Sequence, residues 1–238
     1  MAERDGPEKR GRLSRPLVLD AAVALVDREG LGALTMRRLA AELGVESMAL
    51  YRYTPGKEAL LDGLTEAYFT EINTQLRTGV GGHEHGWRTE LRRIAQAFAV
   101  VAHAHPEILP LVATRPLAVP VSRRPAPALA LTEHILAVLA RAGFDDTTAL
   151  TIYRTFVAWN LGSLLVDKRQ VVDNPDEPDP VLRLGLHRLP AADYPRLRAL
   201  VPRFADFDDR AEMLAGLDRL LDGMPEPPLD DFYGEGGS

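Results

Sequence analysis

The 238-residue chain contains no cysteine, which excludes disulfides and thiolate metal sites. It has no apolar run near the ~20 residues that cross a bilayer; the longest candidates, such as Phe156 to Val166, fall short. No alternating apolar–polar run bounded by turn residues reads as a strand. The opening "MAERDGPEKRGR" is polar with no apolar segment behind it, which predicts no secretory signal and a cytoplasmic protein. Enzyme signatures are missing too: there is no G-x-S-x-G, no glycine-rich phosphate loop opening a helix and no H-E-x-x-H. No catalytic residue and no cofactor is expected. His83-x-His85 and His103-x-His105 invite a metal reading. Residues two apart on a helix do not share a face, and no third ligand is obviously placed, so no metal site is expected.

What is present is an ordinary globular balance, 46% apolar and 26% charged, with ample material for a core. The net charge of −6 argues against indiscriminate nucleic-acid binding. That charge is unevenly spread. Residues 1–60 hold 10 basic and 9 acidic side chains, whereas the remainder holds 18 and 25. A local basic surface on the first part can still bind phosphate.

Nearly every segment has helical period, so the fold class is predicted as all-α. Leu17, Ala21, Ala24 and Leu25 mark one face of a first helix that starts after Ser14 and ends at Gly30. Thr35 caps a second helix, Met36 to Leu43, with Leu39, Ala40 and Leu43 inward and Gly44 as the turn. A short helix from Glu46 to Tyr53 stops at Thr54-Pro55-Gly56. Long helices follow at Lys57 to Leu76, Trp87 to Ala104, Ala128 to Ala142 and Thr147 to about Asp167, with a short one at Pro106 to Thr114 and a last one at Asp208 to Leu221. The expected organisation is a three-helix domain over 14–60, a larger helical domain over 61–223, and disordered tails at 1–13 and 224–238. The basic residues Arg4, Lys9, Arg10, Arg12 and Arg15 either brush DNA or belong to a disordered arm.

Helix, helix, glycine turn, short helix is the layout of a helix-turn-helix unit with a supporting first helix. Ala40, Ala41 and Gly44 allow close packing, and Val45 and Leu50 anchor the second motif helix. Ser47, Met48, Ala49, Arg52 and the hydroxyls of Tyr51 and Tyr53 are then left to face a major groove. The stretch "VLDAAVALVDREGLGALTMRRLAAELGVESMALYRYTPGKEALLDGL" resembles the DNA-binding domain of TetR-family transcriptional regulators. The A-L-T-x-R-x-L-A spacing, Leu43-Gly44-Val45, Leu50-Tyr51 and Lys57 with Leu60-Leu61 carry the likeness. More loosely, "WRTELRRIAQAF", "ATRP", "RAGFDDTTAL" and "NLGSLLVD" resemble the C-terminal domain of the tetracycline-repressor branch. The resemblance implies a homodimeric repressor of double-stranded operator DNA, released by a small-molecule effector. By position it implies DNA contacts at Thr35, Arg37, Ser47, Met48, Ala49, Tyr51, Arg52, Tyr53 and Lys57. Met48, Ala49 and Arg52 depart from tetracycline repressors, which predicts a different operator. A helical ligand-binding or scaffold protein with a non-functional helix-turn-helix is the alternative.

In the second part, Tyr153, Phe156 and Asn160 share a helical face, an apolar surface broken by an amide that suits a ligand pocket or plain core. Phe98, His103 and Leu111 are expected to frame the same cavity. Arg115 reads either as a pocket cation or as a structural ion pair. In tetracycline repressors the drug's magnesium is held by a histidine just before the T-R-P segment and by an acid after the late L-G pair. The aligned positions here are Leu111 and Val166, which implies a mainly apolar effector and no metal–tetracycline chelate. The helices Thr147 to Asp167 and Asp208 to Leu221 of this effector-binding and dimerisation domain are expected to pair with their copies as a four-helix dimer interface; on the second, Leu214, Leu217 and Leu221 form a helical seam that a monomer would have trouble covering.

Overall fold

The computed structural model describes residues 13–78, 86–168, 174, 176–183, 185–205 and 209–227. The arm before residue 13, the loop with His83 and His85, Asp208 and the tail from residue 228 lie outside the described residues. Among the described residues there is no strand, as the periodicity predicts. In chain order the helices are α1 (Arg15–Glu29), α2 (Met36–Leu43), α3 (Ser47–Leu50), α4 (Lys57–Thr78), α5 (Trp87–Ala104), α6 (Leu109–Ala118), α7 (Ala126–Arg141), α8 (Asp146–Lys168), α9 (Pro180–Arg183), α10 (Pro195–Ala205) and α11 (Asp209–Asp222). The backbone forms two compact units, residues 1–75 with 104–131, and residues 76–103 with 132–238.

The first unit is shaped by its caps. Ser14 Oγ accepts from the Leu17 amide and opens α1, with Pro16 in the first turn where its missing N–H is harmless. Thr35 Oγ1 accepts from the Arg38 amide at 3.1 Å and opens α2. Gly44 then ends α2 in the left-handed region (φ 65°), with Gly44 N–H donating to Ala41 and Val45 N–H to Ala40. That paired closure satisfies the last carbonyls of α2 and turns the chain sharply.

Two expected details differ. The buried stripe of α1 is Val18, Leu19, Ala22, Leu25 and Val26; Leu17 and Ala24 face solvent. Apolar residues run almost all round this helix, so spacing could not select the face that packs. The third helix is α-helical only over Ser47–Leu50 and not to Tyr53. Tyr53 and Thr54 amides both donate to the Leu50 carbonyl, and the Thr54 hydroxyl back-bonds to the same oxygen. Pro55 disfavours a helical Thr54, so the chain tightens into a turn there.

α1 seats on α4 through a glycine. A Cβ added at Gly63 would lie 2.3 Å from Leu19 Cδ2, closer than side chains tolerate. Arg15 reaches Glu66 from the start of α1, and Leu60, Leu64, Tyr68 and Ile72 line the buried face of α4. In the second unit Glu90 on α5 pairs with Arg93 and with His134 on α7, contacts that hold its carboxyl down to about 2. Trp87 meets Phe144 edge-on at 5.3 Å, and Trp159 on α8 packs against Gly216 on α11.

Gly63→Val should therefore lower stability by about 1–3 kcal/mol through overpacking. Leu19→Ala, which opens the space that the new methyls need, should recover part of that loss in the double variant. Thermal melts of the four proteins read the coupling; strictly additive losses would dissociate these two residues.

Candidate nucleic-acid interface and effector site

The reading surface is built by a helix too short to be stable alone. Leu50 is fully buried and anchors α3 into the first unit, and Val45 is half-buried beside it. The remaining side chains turn outward. Met48 is 73% exposed and Tyr51 46%. Arg52 is exposed, and Ser47, Ala49 and Tyr53 are partly so. An exposed methionine and tyrosine on a four-residue helix gain nothing from the core, which is what a contact surface needs. Thr35 is exposed at the N-terminus of α2; its oxygen accepts the capping bond, which leaves its O–H free to donate outward.

Charge separates the arginines. Arg38, next to Arg37, donates to Glu29 at 2.5 Å and to Glu42 at 3.1 Å. Arg28 pairs with the same two acids, and Arg15 with Glu66. Arg37, Arg52 and Lys57 are exposed and make no ion pair among the described residues. The structure thus resolves which of the adjacent pair Arg37–Arg38 is available. Residues 47–53 are contiguous, and Thr35, Arg37 and Lys57 belong to the same compact unit.

The expected effector residues divide between the units. Leu111 and Arg115 belong to the first, and Phe98, His103, Tyr153, Phe156 and Asn160 to the second. Arg115 is a correction to the ligand-contact set: it is the structural ion pair. Its Nε donates to Asp62 at 2.6 Å, and its terminal nitrogens donate to the Glu58 carboxylate at 3.0 Å and the Glu58 carbonyl at 3.1 Å. These two acids raise the guanidinium further above its ordinary value and tie α6 to the first turns of α4. His103 is exposed on the last turn of α5, and Leu111 and Phe98 are buried. Phe156 is fully buried, and the Tyr153 hydroxyl lies 3.2 Å from Thr132 Oγ1. Asn160 is 1% exposed, and its Oδ1 has no hydrogen-bond partner among the described residues.

The dimer seam is corrected in its premise. Leu217 and Leu221 are buried within one protomer, and only Leu214 stays partly accessible. α11 packs within the protomer, with Trp159 of α8 against Gly216 and Arg88 and Arg92 of α5 on Leu221 and Asp218. An exposed face of mixed character, with Thr151, Arg154 and Thr155 among its residues, lies on α8. Asp146–Val166 is long and apolar enough to cross a membrane by length and composition, although no single uninterrupted apolar run suggests it, and only 28% of it is buried. Leu150 and Val166 are exposed, as are Ala158 and Gly162.

Sequence reasoning missed the contact at Gly63 and the bridge from Asp27 through His105 to Glu71. These partners are 44, 78 and 34 residues apart, beyond any local pattern.

Comparison with known proteins agrees with this geometry. Residues 18–64 match the family of bacterial regulatory proteins, tetR family, and residues 81–227 match the tetracyclin repressor-like C-terminal domain. An HTH-type transcriptional regulator of Saccharopolyspora erythraea is 33% identical over 92% of this chain and 89% of its own length. The class A tetracycline repressor from transposon 1721 of Escherichia coli is 29% identical over 92% of this chain and 93% of its own length. A crystal structure of a possible TetR family transcriptional regulator from Streptomyces coelicolor A3(2) superposes with a TM-score of 0.71 at 26% identity, covering 88% of this chain and 98% of that one. With a helix-turn-helix head that presents its third helix to solvent and a helical C-terminal domain of the tetracycline-repressor type, the chain belongs to the TetR family of transcriptional regulators.

Proposed function

We propose that this regulator is a cytoplasmic homodimeric repressor that reads a pseudo-palindromic operator and leaves it when a mainly apolar effector binds. We assign residues 14–60 to DNA reading and residues 61–223 to effector binding and dimerisation. The observation that carries the DNA half is the division of charge. Acids neutralise Arg15, Arg28, Arg38 and Arg115, while Arg37, Arg52 and Lys57 remain uncommitted around the exposed side chains of Met48 and Tyr51. Lys57 begins α4 and Arg37 lies in the first turn of α2, where backbone amides also attract phosphate. We assign Arg52, exposed just after α3, to reading a base edge.

The partner for the open face of α8 is a second copy of the chain. Small residues at Ala158 and Gly162 let a facing helix approach, and a Cβ added at Gly162 would meet nothing within 4 Å. Two reading heads on a dimer suit half-sites ~35 Å apart. The effector half rests on Asn160. A buried amide oxygen without a partner costs about 1–3 kcal/mol in the free protein. A ligand that donates one hydrogen bond to it, among Phe156, Tyr153 and Phe98, removes that penalty. Leu111 and Val166 have no oxygen or imidazole to hold a hard cation, and Val166 is 73% exposed.

Arg52→Ala should weaken operator binding by about 1–3 kcal/mol and relax preference at one base pair. Equal loss on operator and random DNA, measured at several salt concentrations, would make it a phosphate contact instead. Ala158→Glu should give folded monomers in sedimentation. Leu217→Glu is expected to unfold the protomer because that side chain is buried within it. A fully dimeric Ala158→Glu protein removes α8 from the interface. Calorimetry with tetracycline and magnesium should show no magnesium-dependent binding; tight binding that frees the operator overturns the effector reading.

A further inference from the structure

His105 lies between α5 and α6, and both of its ring nitrogens meet carboxylates. Nδ1 is 2.8 Å from Asp27 Oδ2 on α1, and Nε2 is 2.8 Å from Glu71 Oε2 on α4. A neutral imidazole has one N–H and one lone pair, so it can donate to only one of them and would turn a lone pair toward the other. Both contacts are donations only when the ring is an imidazolium. The side chain is 17% exposed, so water does little to relieve the mismatch. Neither acid has another ion-pair partner among the described residues.

We propose that His105 is a positioning residue for operator binding, an imidazolium staple that fixes α1 against α4 and makes the aim of the reading head depend on one proton. α1 supports α2 and α3, and α4 begins at Lys57, so the angle between α1 and α4 sets where the recognition helix stands relative to the phosphate contact. The groups around the ring are consistently acidic. Asp27 faces it from α1 and Glu71 from α4. Glu107, on the ring's own segment, reaches the end of α1 at Gly30. Tyr68, one turn before Glu71, is buried, and burial keeps its hydroxyl neutral. His103 is exposed at the end of α5. Burial opposes the charge on His105, but hydrogen bonds to Asp27 and Glu71 outweigh it and leave its pKa above the ordinary 6.5.

The sign follows from that direction. A raised value in the folded state means that the staple is fully present below about pH 6.5 and is lost as pH rises through the higher folded value. Operator affinity should therefore fall with rising pH, on the order of three- to tenfold between mildly acidic and mildly alkaline solution at fixed ionic strength.

The test uses the full chain and the genomic DNA fragment that the purified protein retains, with affinity read by fluorescence anisotropy from pH 5.5 to 8.5. Wild type should lose affinity across this range. His105→Gln should bind more weakly at pH 6 and show a flattened profile. His105→Arg, permanently charged and able to donate to both acids, should keep the affinity and lose the pH dependence. Identical profiles for wild type and His105→Gln overturn the proposal, as does a His105→Arg protein no better than His105→Gln. If the variants do not fold, the ring's own titration in wild type, followed by NMR, decides: a midpoint above 6.5 supports the staple and one at or below 6.5 removes it. That measurement needs no DNA. Failure of operator binding at every pH would thus count against the DNA reading, while the staple is judged separately.

Discussion

The contact between α1 and α4 is the constraint on which the reading head depends. A helix of four residues has no stability of its own, so α3 keeps its shape only through Leu50, the glycine turn at Gly44 and the Thr54 back-bond. All of these are referred to α1, and α1 is referred to α4. Gly63 lets the two backbones approach where Leu19 fills the space. Arg15 with Glu66 and Asp27 with His105 and Glu71 add polar ties along α1. The apolar contact supplies most of the adhesion, since exposed ion pairs contribute little. The polar ties supply direction.

The same acids solve an electrostatic problem. A chain with net charge −6 must still attract a polyanion. Acids pair with Arg15, Arg28, Arg38 and Arg115, while Arg37, Arg52 and Lys57 are exposed and make no ion pair among the described residues. Long-range attraction is thereby modest and the local surface is selective. Arg115 is held in the same way. Bound to Asp62 and Glu58, it fastens α6 to the beginning of α4, one turn from Lys57.

In the second unit the polar atom that matters is the one with nothing to bind. Buried amides are normally satisfied, and Asn160 Oδ1 is not. Its neighbours on α8 include a fully buried phenylalanine and a tyrosine whose hydroxyl lies beside Thr132. Leu150, Ala158, Gly162 and Val166 on the same helix are exposed.

The sequence by itself determined the helical class, the caps at Ser14, Thr35 and Gly44, and the outward residues of the recognition helix. Each of these is a local property: a capping oxygen, a glycine that accepts positive φ, a short run with one anchoring leucine. Tertiary structure decided what local pattern cannot carry. It chose among the many apolar faces of α1, exposing Leu17 and burying Val18. It took Arg115 and Arg38 into ion pairs and left Arg37 free of one. It buried Leu217 within the protomer, and it brought His105 to two acids far away in the chain. Side-chain spacing reports what can share a face, but which face is covered and which charge is answered depend on chain segments that meet only on folding.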